Sequence, residues 1–398
     1  MSLQISKRTV QNIFIYVLLF LCSMNFQAKF HYFVYALFII LIISQKNYLF
    51  INNKSLVYLA LCVLMSLYSA KEGLLSMLRC FSSFMMYVVG FNLTVKNDQF
   101  INEEKESGFS GEYFVYTLIV LISVGSFSHY MLNAITNFGV EIGRNTIDVW
   151  SGEIMAATGQ SCLACLMLGL SIAIIFKPLK KYQKNLGFAC IFVALAYNFV
   201  LSGRLIIAVL FVLIFVCLIY ISKVEKSVSK KVSLAIKVMA FAFAIWLVFL
   251  LNIGGIQDFL MESNFVERFT EVLDFWDNSD RNNAKLQFIL NGWKHPFGGL
   301  HLRMEYGYAH DLLLDGYDEF GFGGFILLLG VLLNGLYSFY KLLMSSRYSH
   351  EFKLVLLCVY VSILIVFCIE PILAGTAWLF TLFCFINGCM DGMRNSRR

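Results

Sequence analysis

Long apolar runs dominate the chain, and short polar connections separate them. A helix that spans a bilayer needs roughly 17–25 mostly apolar residues, and about twelve runs approach that length. The pattern therefore predicts an all-α fold, a polytopic transmembrane bundle in which residues 1–398 form a single membrane domain. The predicted segments lie near residues 10–25, 29–44, 55–70, 74–94, 112–131, 155–176, 186–202, 204–222, 234–252, 322–342, 353–369 and 374–390.

The composition agrees with this pattern. Hydrophobic residues make up 59% of the chain and charged residues 14%, with a mean hydropathy of +0.73. A soluble domain is nearer half apolar and a quarter charged, so this chain needs lipid to cover its apolar surface. The net charge of +6 comes from basic residues in short loops, which indicates headgroup contacts rather than nucleic-acid binding. The eleven cysteines lie in apolar runs, which argues against a disulfide framework.

The lysines and arginines predict an orientation. If both termini lie on one side, that side holds 21 of the 31 basic residues and the opposite side holds nine. Because cytoplasmic loops carry the excess of lysine and arginine, we predict that both termini are cytoplasmic. The two longest polar loops, residues 132–154 and 253–322, then lie outside the cytoplasm. Basic residues on the outer side concentrate in these loops, against the general rule, and this indicates a function for them.

The longer outer loop has the pattern of a folded cap. Its aromatic and apolar residues recur at helical spacing, as expected of helices that lie at the membrane interface. One helix is predicted over residues 280–293, ended by the His295–Pro296 pair and two glycines. A second, shorter helix is predicted to start at His310 and to run towards Phe320.

Two arginines in the outer loops are candidate anion ligands. Arg204 lies between two abutting apolar segments, where a cation either anchors the helix at the interface or is paired. Arg281 lies in the first turn of its predicted helix, where a cation opposes the helix dipole. It either pairs with Asp277 or Asp280, or binds an anion such as a diphosphate, which suits a planar and permanent cation.

His310 is the candidate proton acceptor. The dipole at a helix start favours the neutral imidazole, which can accept a proton, but the neighbouring Asp311 acts in the opposite direction. The sequence leaves that balance open. His295 and His301 lie in the same loop, yet their spacing matches no zinc-ligand pattern. We therefore predict neither a metal nor another cofactor.

Several recognisable enzyme motifs are absent from the sequence. The chain has no G-x-x-x-x-G-K-[ST] phosphate loop, no G-x-S-x-G and no H-E-x-x-H. This excludes a nucleotide-driven motor and the easily recognised membrane hydrolases.

Four short motifs in a fixed order carry a resemblance. They are L-S-G-R-L-I-I with Arg204, S-D-R-N-N-A with Arg281, W-K-H-P-F-G-G (residues 293–299) and A-H-D-L-L-L-D-G-Y-D-E-F-G (residues 309–321). In a many-helix protein with a large outer loop, this order resembles the O-antigen polymerase and ligase superfamily of bacterial envelope glycosyltransferases. The match covers residues 140–340 best, and the N-terminal third matches only in being hydrophobic.

The resemblance implies a metal-independent glycosyl transfer at the outer face of the bacterial inner membrane. The substrate would be an oligosaccharide on polyprenyl diphosphate, and membrane lipids would surround the protein. Arg204 and Arg281 would hold the diphosphate and stabilise the charge that develops on it. His310, alone or with Asp311, would orient or deprotonate the attacking hydroxyl. Further candidates for phosphate or sugar contacts are Arg144, Arg303 and Tyr308.

More than one function fits these motifs. A polymerase joins lipid-linked repeat units during lipopolysaccharide biosynthesis, whereas a ligase transfers the finished chain to lipid A–core. The A-H-D-L-L-L-D motif is more similar to the polymerase branch, which we therefore expect. A flippase or transporter would need charges along the bundle midplane, and ionisable residues in the spans are few, mainly Arg79 and Glu370. A scaffold without chemistry, and a chain-length regulator protein as a further partner, stay open.

Overall fold

The described part of the chain is almost entirely helical. The computed structural model describes residues 7–44, 49–103, 111–139, 145–178, 180–201, 203–224 and 280–395. The α-helices in this part are α1 (Lys7–Ser23), α2 (Phe30–Ser44), α3 (Ser55–Tyr68), α4 (Leu74–Cys80), α5 (Ser82–Glu103), α6 (Gly111–Thr136), α7 (Ala157–Phe176), α8 (Lys181–Val200), α9 (Leu205–Val224), α10 (Asp280–Asn291), α11 (His301–Tyr306), α12 (Leu312–Met344), α13 (His350–Phe367), α14 (Ile372–Gly375) and α15 (Ala377–Asn395).

Short elements join several of these helices. In the described residues, three 3-10 helices cover Phe26–Ala28, Ser69–Glu72 and Gly292–Lys294. Between α6 and α7, strands β1 (Asn145–Ile147) and β2 (Ile154–Ala156) pair antiparallel.

The helices confirm an all-α membrane protein. Within the described residues, seven helical stretches are long and apolar enough to cross a bilayer, and two shorter apolar helices lie near the N-terminus. Every predicted segment that falls on described residues overlaps a helix. The predicted segment 234–252 lies outside those residues, so the number of spans stays a prediction. The seven stretches are Ser55–Glu72, Leu74–Val95, Gly111–Thr136, Ala157–Phe176, Leu205–Val224, Leu312–Met344 and His350–Phe367.

One end of the bundle, which we call the loop end, gathers the described connections at residues 24–29, 137–139, 145–156, 201, 203–204, 292–311 and 368–376. The Phe26 and Trp150 rings lie 4.8 Å apart between centroids. The hydroxyl of Tyr68 donates to the Phe297 carbonyl at 2.6 Å. The predicted outer loops, as far as they are described, therefore lie together at one end.

The opposite end, which we call the terminal end, holds the described chain ends at Lys7 and Asn395. There, Lys54 pairs with Asp391 at 2.6 Å, and the Tyr220 hydroxyl lies 3.3 Å from Nδ1 of His350. This separation of the connections is the alternation that the charge pattern predicts. Which end faces the cytoplasm stays a prediction.

Helices α5 and α15 pack side by side in the same direction, because small residues let their backbones approach. Ser83 lies 3.2 Å from Thr381 between hydroxyl oxygens near the loop end. Further along, a Cβ on Gly388 would lie 2.9 Å from the Phe91 nitrogen. Between α5 and α15 the core therefore consists of close contacts between the two helix backbones.

Helix α12 joins two elements that the sequence predicts separately. The short predicted helix and the span that follows it are continuous, with a kink at Gly321, where φ is 69° and ψ is −165°. This kink carries the chain from the loop end into the bundle. The assignment of Glu370 to a span is also wrong. Helix α13 ends at Phe367, and Glu370 lies in the turn that follows it.

Candidate functional site

A buried histidine–aspartate pair joins the end of α6 to the hairpin of β1 and β2. His129, near the end of α6, is fully buried, and its Nε2 lies 2.6 Å from Oδ2 of Asp148. The other carboxylate oxygen of Asp148 accepts the backbone N–H of Ser151 at 2.8 Å. Burial alone would raise the pKa of Asp148, but the hydrogen bond and charge of His129, with bonds from Ser151 and Asn133, outweigh it and hold the pKa below its ordinary value.

We expect Asp148→Asn to destabilise the protein by about 1–3 kcal/mol at pH 7, because it breaks a buried hydrogen-bond network. A carboxyl with a lowered pKa contributes fully above its unfolded pKa of about 3.9, and the contribution is lost as the pH falls through the lowered value. The difference in unfolding temperature between the variant and the wild type should therefore be constant from pH 7 to 5 and should shrink progressively as the pH falls below about 4. Glu153→Gln, an exposed change on the same hairpin, is the control. An equal loss in the control would contradict the prediction.

A cavity of about 310 Å³ lies between this hairpin, the start of α7 and the turn after α13. Three of its lining residues, Asp148, Glu153 and Glu370, carry carboxyl groups, and Cys162 and Thr376 add smaller polar groups. Cavities of this size hold small ligands or single sugar rings. Carboxylates accept hydrogen bonds, so the lining suits a hydroxyl-rich group better than an anion.

Arg204 lies at the same end of the bundle, in the turn between α8 and α9. The turn is tight because Asn198 both accepts the Gly203 N–H through its carbonyl at 2.9 Å and donates to the Gly203 carbonyl through its amide. A Cβ on Gly203 would collide with the Asn198 side chain. Ser161 of α7, next to the cavity residue Cys162, donates to Asn198 Oδ1 at 3.0 Å. The half-buried Arg204 therefore follows a turn that Asn198 and Ser161 hold in place.

Helix α10 brings the motif of Arg281 to the same end of the bundle. The Lys285 ammonium donates to the Cys368 carbonyl at 2.9 Å, two residues before the cavity residue Glu370. Arg281 is the second residue of this helix, as predicted, and its side chain lies outside the described residues. Arg144 lies outside them as well, just before β1.

The two motifs of the long loop interlock backbone to backbone. The N–H of Phe322 donates to the Pro296 carbonyl at 2.8 Å, and the N–H of Gly299 to the Glu319 carbonyl at 3.4 Å. A Cβ on Gly298 would lie 2.6 Å from the Gly321 nitrogen, and one on Gly321 would overlap the Pro296 carbonyl. The W-K-H-P-F-G-G and E-F-G motifs therefore need their glycines for close contact with each other.

Two buried aspartates hold the loop that carries the candidate residues. Asp318 accepts the N–H of Leu302 at 2.8 Å and that of Arg303 at 3.2 Å. Asp315 accepts the N–H of Ala309 at 3.1 Å and that of Asp311 at 3.2 Å. Both carboxylates are 1% exposed. The spacing D-x-x-x-D-x-x-D in the motif thus serves to shape the loop around residue 310.

Arg303, Tyr308 and His310 lie together on this loop. The Arg303 guanidinium is 4.5 Å from the centroid of the Tyr308 ring, and that ring is 6.1 Å from the His310 ring. Arg303 also lies 3.8 Å from Asp318 and 3.6 Å from Glu319, so two carboxylates already balance its charge. Its contacts in the described structure are therefore those of a residue that supports the loop and orients Tyr308.

His310 has an unusual backbone, and Asp311 has a structural contact. The φ of His310 is 53°, in the left-handed region that few residues other than glycine adopt. Asp311, not His310, is the N-cap of α12, and its carboxylate accepts the N–H groups of Leu313 at 3.0 Å and Leu314 at 3.2 Å. This geometry favours the alternative in which His310 acts without Asp311.

The other two histidines of the loop stack on each other. The rings of His295 and His301 lie 4.6 Å apart between centroids. Among the residues that the structure describes, no group of three or more histidine, cysteine or acidic side chains is arranged to hold a metal ion.

Cys368 lies in the turn after α13, two residues before the cavity residue Glu370. Partial burial raises the pKa of Cys368, the charge of Asp311 raises it further, and Lys285 opposes that effect. Helix α10 and the turn that leads to Glu370 are in direct contact through Lys285 and the Cys368 carbonyl. Sequence reasoning missed the roles of Asp315, Asp318 and the His129–Asp148 pair, although the repeated aspartates in the motif were a visible signal.

No protein-family model and no curated protein sequence matches this chain. Its function is therefore argued from the site and from the order of its motifs.

Proposed function

We propose that the chain is an O-antigen polymerase, a metal-independent glycosyltransferase that joins oligosaccharide repeat units carried on polyprenyl diphosphate. The reaction would occur at the loop end, on the outer face of the bacterial inner membrane. The observation that carries the proposal is the loop of residues 300–311, which two buried aspartates hold in shape and on which His310 adopts a left-handed backbone. Strained backbone of this kind is typical of functional sites.

The charges at the loop end fit the two halves of such a transfer. Arg204 and Arg281 would bind the diphosphate of the donor and stabilise the negative charge that grows as the glycosidic bond breaks. The carboxylate-lined cavity would accept hydrogen bonds from the hydroxyls of a sugar. His310 would take the proton of the attacking hydroxyl, and the diphosphate would leave with the bonding electron pair.

The apolar bundle supports the same proposal. A polyprenyl tail is soluble in lipid, so it can approach along the helices while its charged head stays at the loop end. A donor that already carries a diphosphate leaving group needs no ATP, which agrees with the absence of a nucleotide motif from the sequence.

The test is the gel profile of surface lipopolysaccharide from a strain that lacks this gene. Loss of the ladder, with core plus one repeat unit remaining, would support the polymerase. Bare core with long chains still on polyprenyl diphosphate would identify a ligase instead. An unchanged ladder would exclude both and favour a transporter, a scaffold or another polysaccharide.

In that strain, we expect Arg204→Gln to restore the ladder poorly, with a rate of polymerisation about a hundredfold below wild type, because one stabilising cation is lost from the transition state. The matched control is Lys71→Gln, which removes an exposed cation at the same end. Polymerisation should be measured with purified lipid-linked repeat units at equal amounts of folded protein. Equal activity of the two variants would contradict the role of Arg204.

A further inference from the structure

Three cations converge on one tyrosine ring at the terminal end, far from the candidate active site. Lys54 lies 5.3 Å, Lys341 5.6 Å and Arg394 4.8 Å from the centroid of Tyr337. They come from three parts of the chain, the start of α3, the end of α12 and the end of α15. Cations that gather in this way repel one another, so their arrangement calls for compensating negative charge.

The described residues supply part of that charge. The buried carboxylate of Asp391 accepts from Lys54 at 2.6 Å, lies 3.4 Å from Arg394 and accepts the hydroxyl of Ser338 at 2.6 Å. One carboxylate balances one of three cations. Within the described part of the chain, Lys341 forms no ion pair with an acidic residue.

The surroundings of the cluster are those of a lipid contact. Tyr337 is 49% exposed, and the exposed apolar side chains of Leu333 and Leu336 continue along α12 towards the middle of the bundle. Leu56, two residues after Lys54, is exposed on the adjacent α3. A cationic end joined to an apolar helix surface matches the headgroup and the acyl chains of a phospholipid.

We infer that Lys54, Lys341 and Arg394 around Tyr337 form a binding site for the phosphodiester headgroup of an anionic phospholipid, whose acyl chains lie along α12 and α3. The Tyr337 hydroxyl, the Lys341 ammonium and the Arg394 guanidinium donate to the phosphate oxygens. Such a lipid stabilises the junction of α3, α12 and α15 at the end opposite the proposed active site. The inference is independent of the proposed function.

Native mass spectrometry of the purified, delipidated protein tests this site. Phosphatidylglycerol is titrated against phosphatidylcholine of the same acyl chains, and inorganic phosphate is added in a separate series. We expect phosphatidylglycerol to bind more tightly, and Lys341→Gln to weaken it about fivefold, since each cation near the headgroup contributes on the order of that factor. Arg394→Gln in the same chain should weaken it again by a similar factor.

The matched control is Arg347→Gln, an exposed change of equal charge at the same end. We expect it to leave the affinity within about twofold of wild type, because Arg347 is not one of the cations over the Tyr337 ring and an exposed charge is screened by salt. Lys341 is exposed, so its loss is compatible with folding even if the Arg394 variant is unstable. Equal binding of both lipids, or equal losses in Lys341→Gln and Arg347→Gln, would overturn the site. Competition by inorganic phosphate at similar affinity would overturn the lipid as its occupant.

Discussion

Replacing His310 by asparagine is expected to lower glycan polymerisation by about 10² to 10⁴-fold, the usual contribution of a general base. Asparagine tolerates the left-handed backbone that residue 310 adopts, so the loop should keep its shape. The measurement is the rate of chain growth with purified lipid-linked repeat units, together with the thermal stability of the variant. The expected pattern is lost turnover with an unchanged unfolding temperature.

The matched control for this change is His350→Asn. His350 is exposed at the terminal end, where it contacts the Tyr220 hydroxyl. The His350→Asn substitution should leave the rate of polymerisation unchanged. If His310→Asn retained full activity at equal protein levels, His310 would not be the base, and the proposed mechanism would fail.

Gly321→Ala is expected to reduce the free energy of unfolding by about 3 kcal/mol or more. With φ at 69° and ψ at −165°, the residue occupies a backbone region that is essentially restricted to glycine. A Cβ there would also overlap the backbone of Pro296 and Phe297, which cannot move aside as a flexible side chain can. Thermal denaturation in detergent should show the loss directly. Activity should fall with it, because the same contact holds the loop of His310.

Two residues away, Gly323→Ala provides the control. A Cβ on Gly323 would lie 3.6 Å from Leu64, an ordinary contact, and its φ is not positive. Alanine is also the better helix former, so this variant should be as stable as wild type or slightly more so. If Gly321→Ala and Gly323→Ala unfolded at similar temperatures, the contact between the interlocked motifs would not determine stability.

The helices could be predicted well because the property that forms them is local. A run of about twenty apolar residues enters lipid whatever its partners, so hydropathy alone located α6, α7 and α13 to within a few residues. The stop signals after residue 291 were equally local, and the predicted helix over residues 280–293 is confirmed by α10 and the 3-10 turn that follows it. The sorting of loops to two ends followed from the charge pattern.

The site was only partly predictable. The resemblance and the long loop around the motifs pointed to His310, Arg303 and Tyr308, and these three lie together. The sequence could not show that Asp311 caps a helix. A start of α12 one residue earlier or later would give the cap position to a different residue. It also could not show that Arg303 is balanced by Asp318 and Glu319, which lie on another element.

By itself the sequence determined that this chain is an all-α membrane protein, which segments form its helices, and which loop carries its candidate chemistry. Those properties depend on residues that are close together in the sequence, over runs of about twenty residues. Only the tertiary structure decided that Asp148 pairs with His129, that Asp315 and Asp318 shape the loop of residues 300–311, and that three distant cations meet at Tyr337. The reason is physical. Contacts between remote residues depend on the register and rotation of packed helices, and hydropathy is the same for many packings of the same helices.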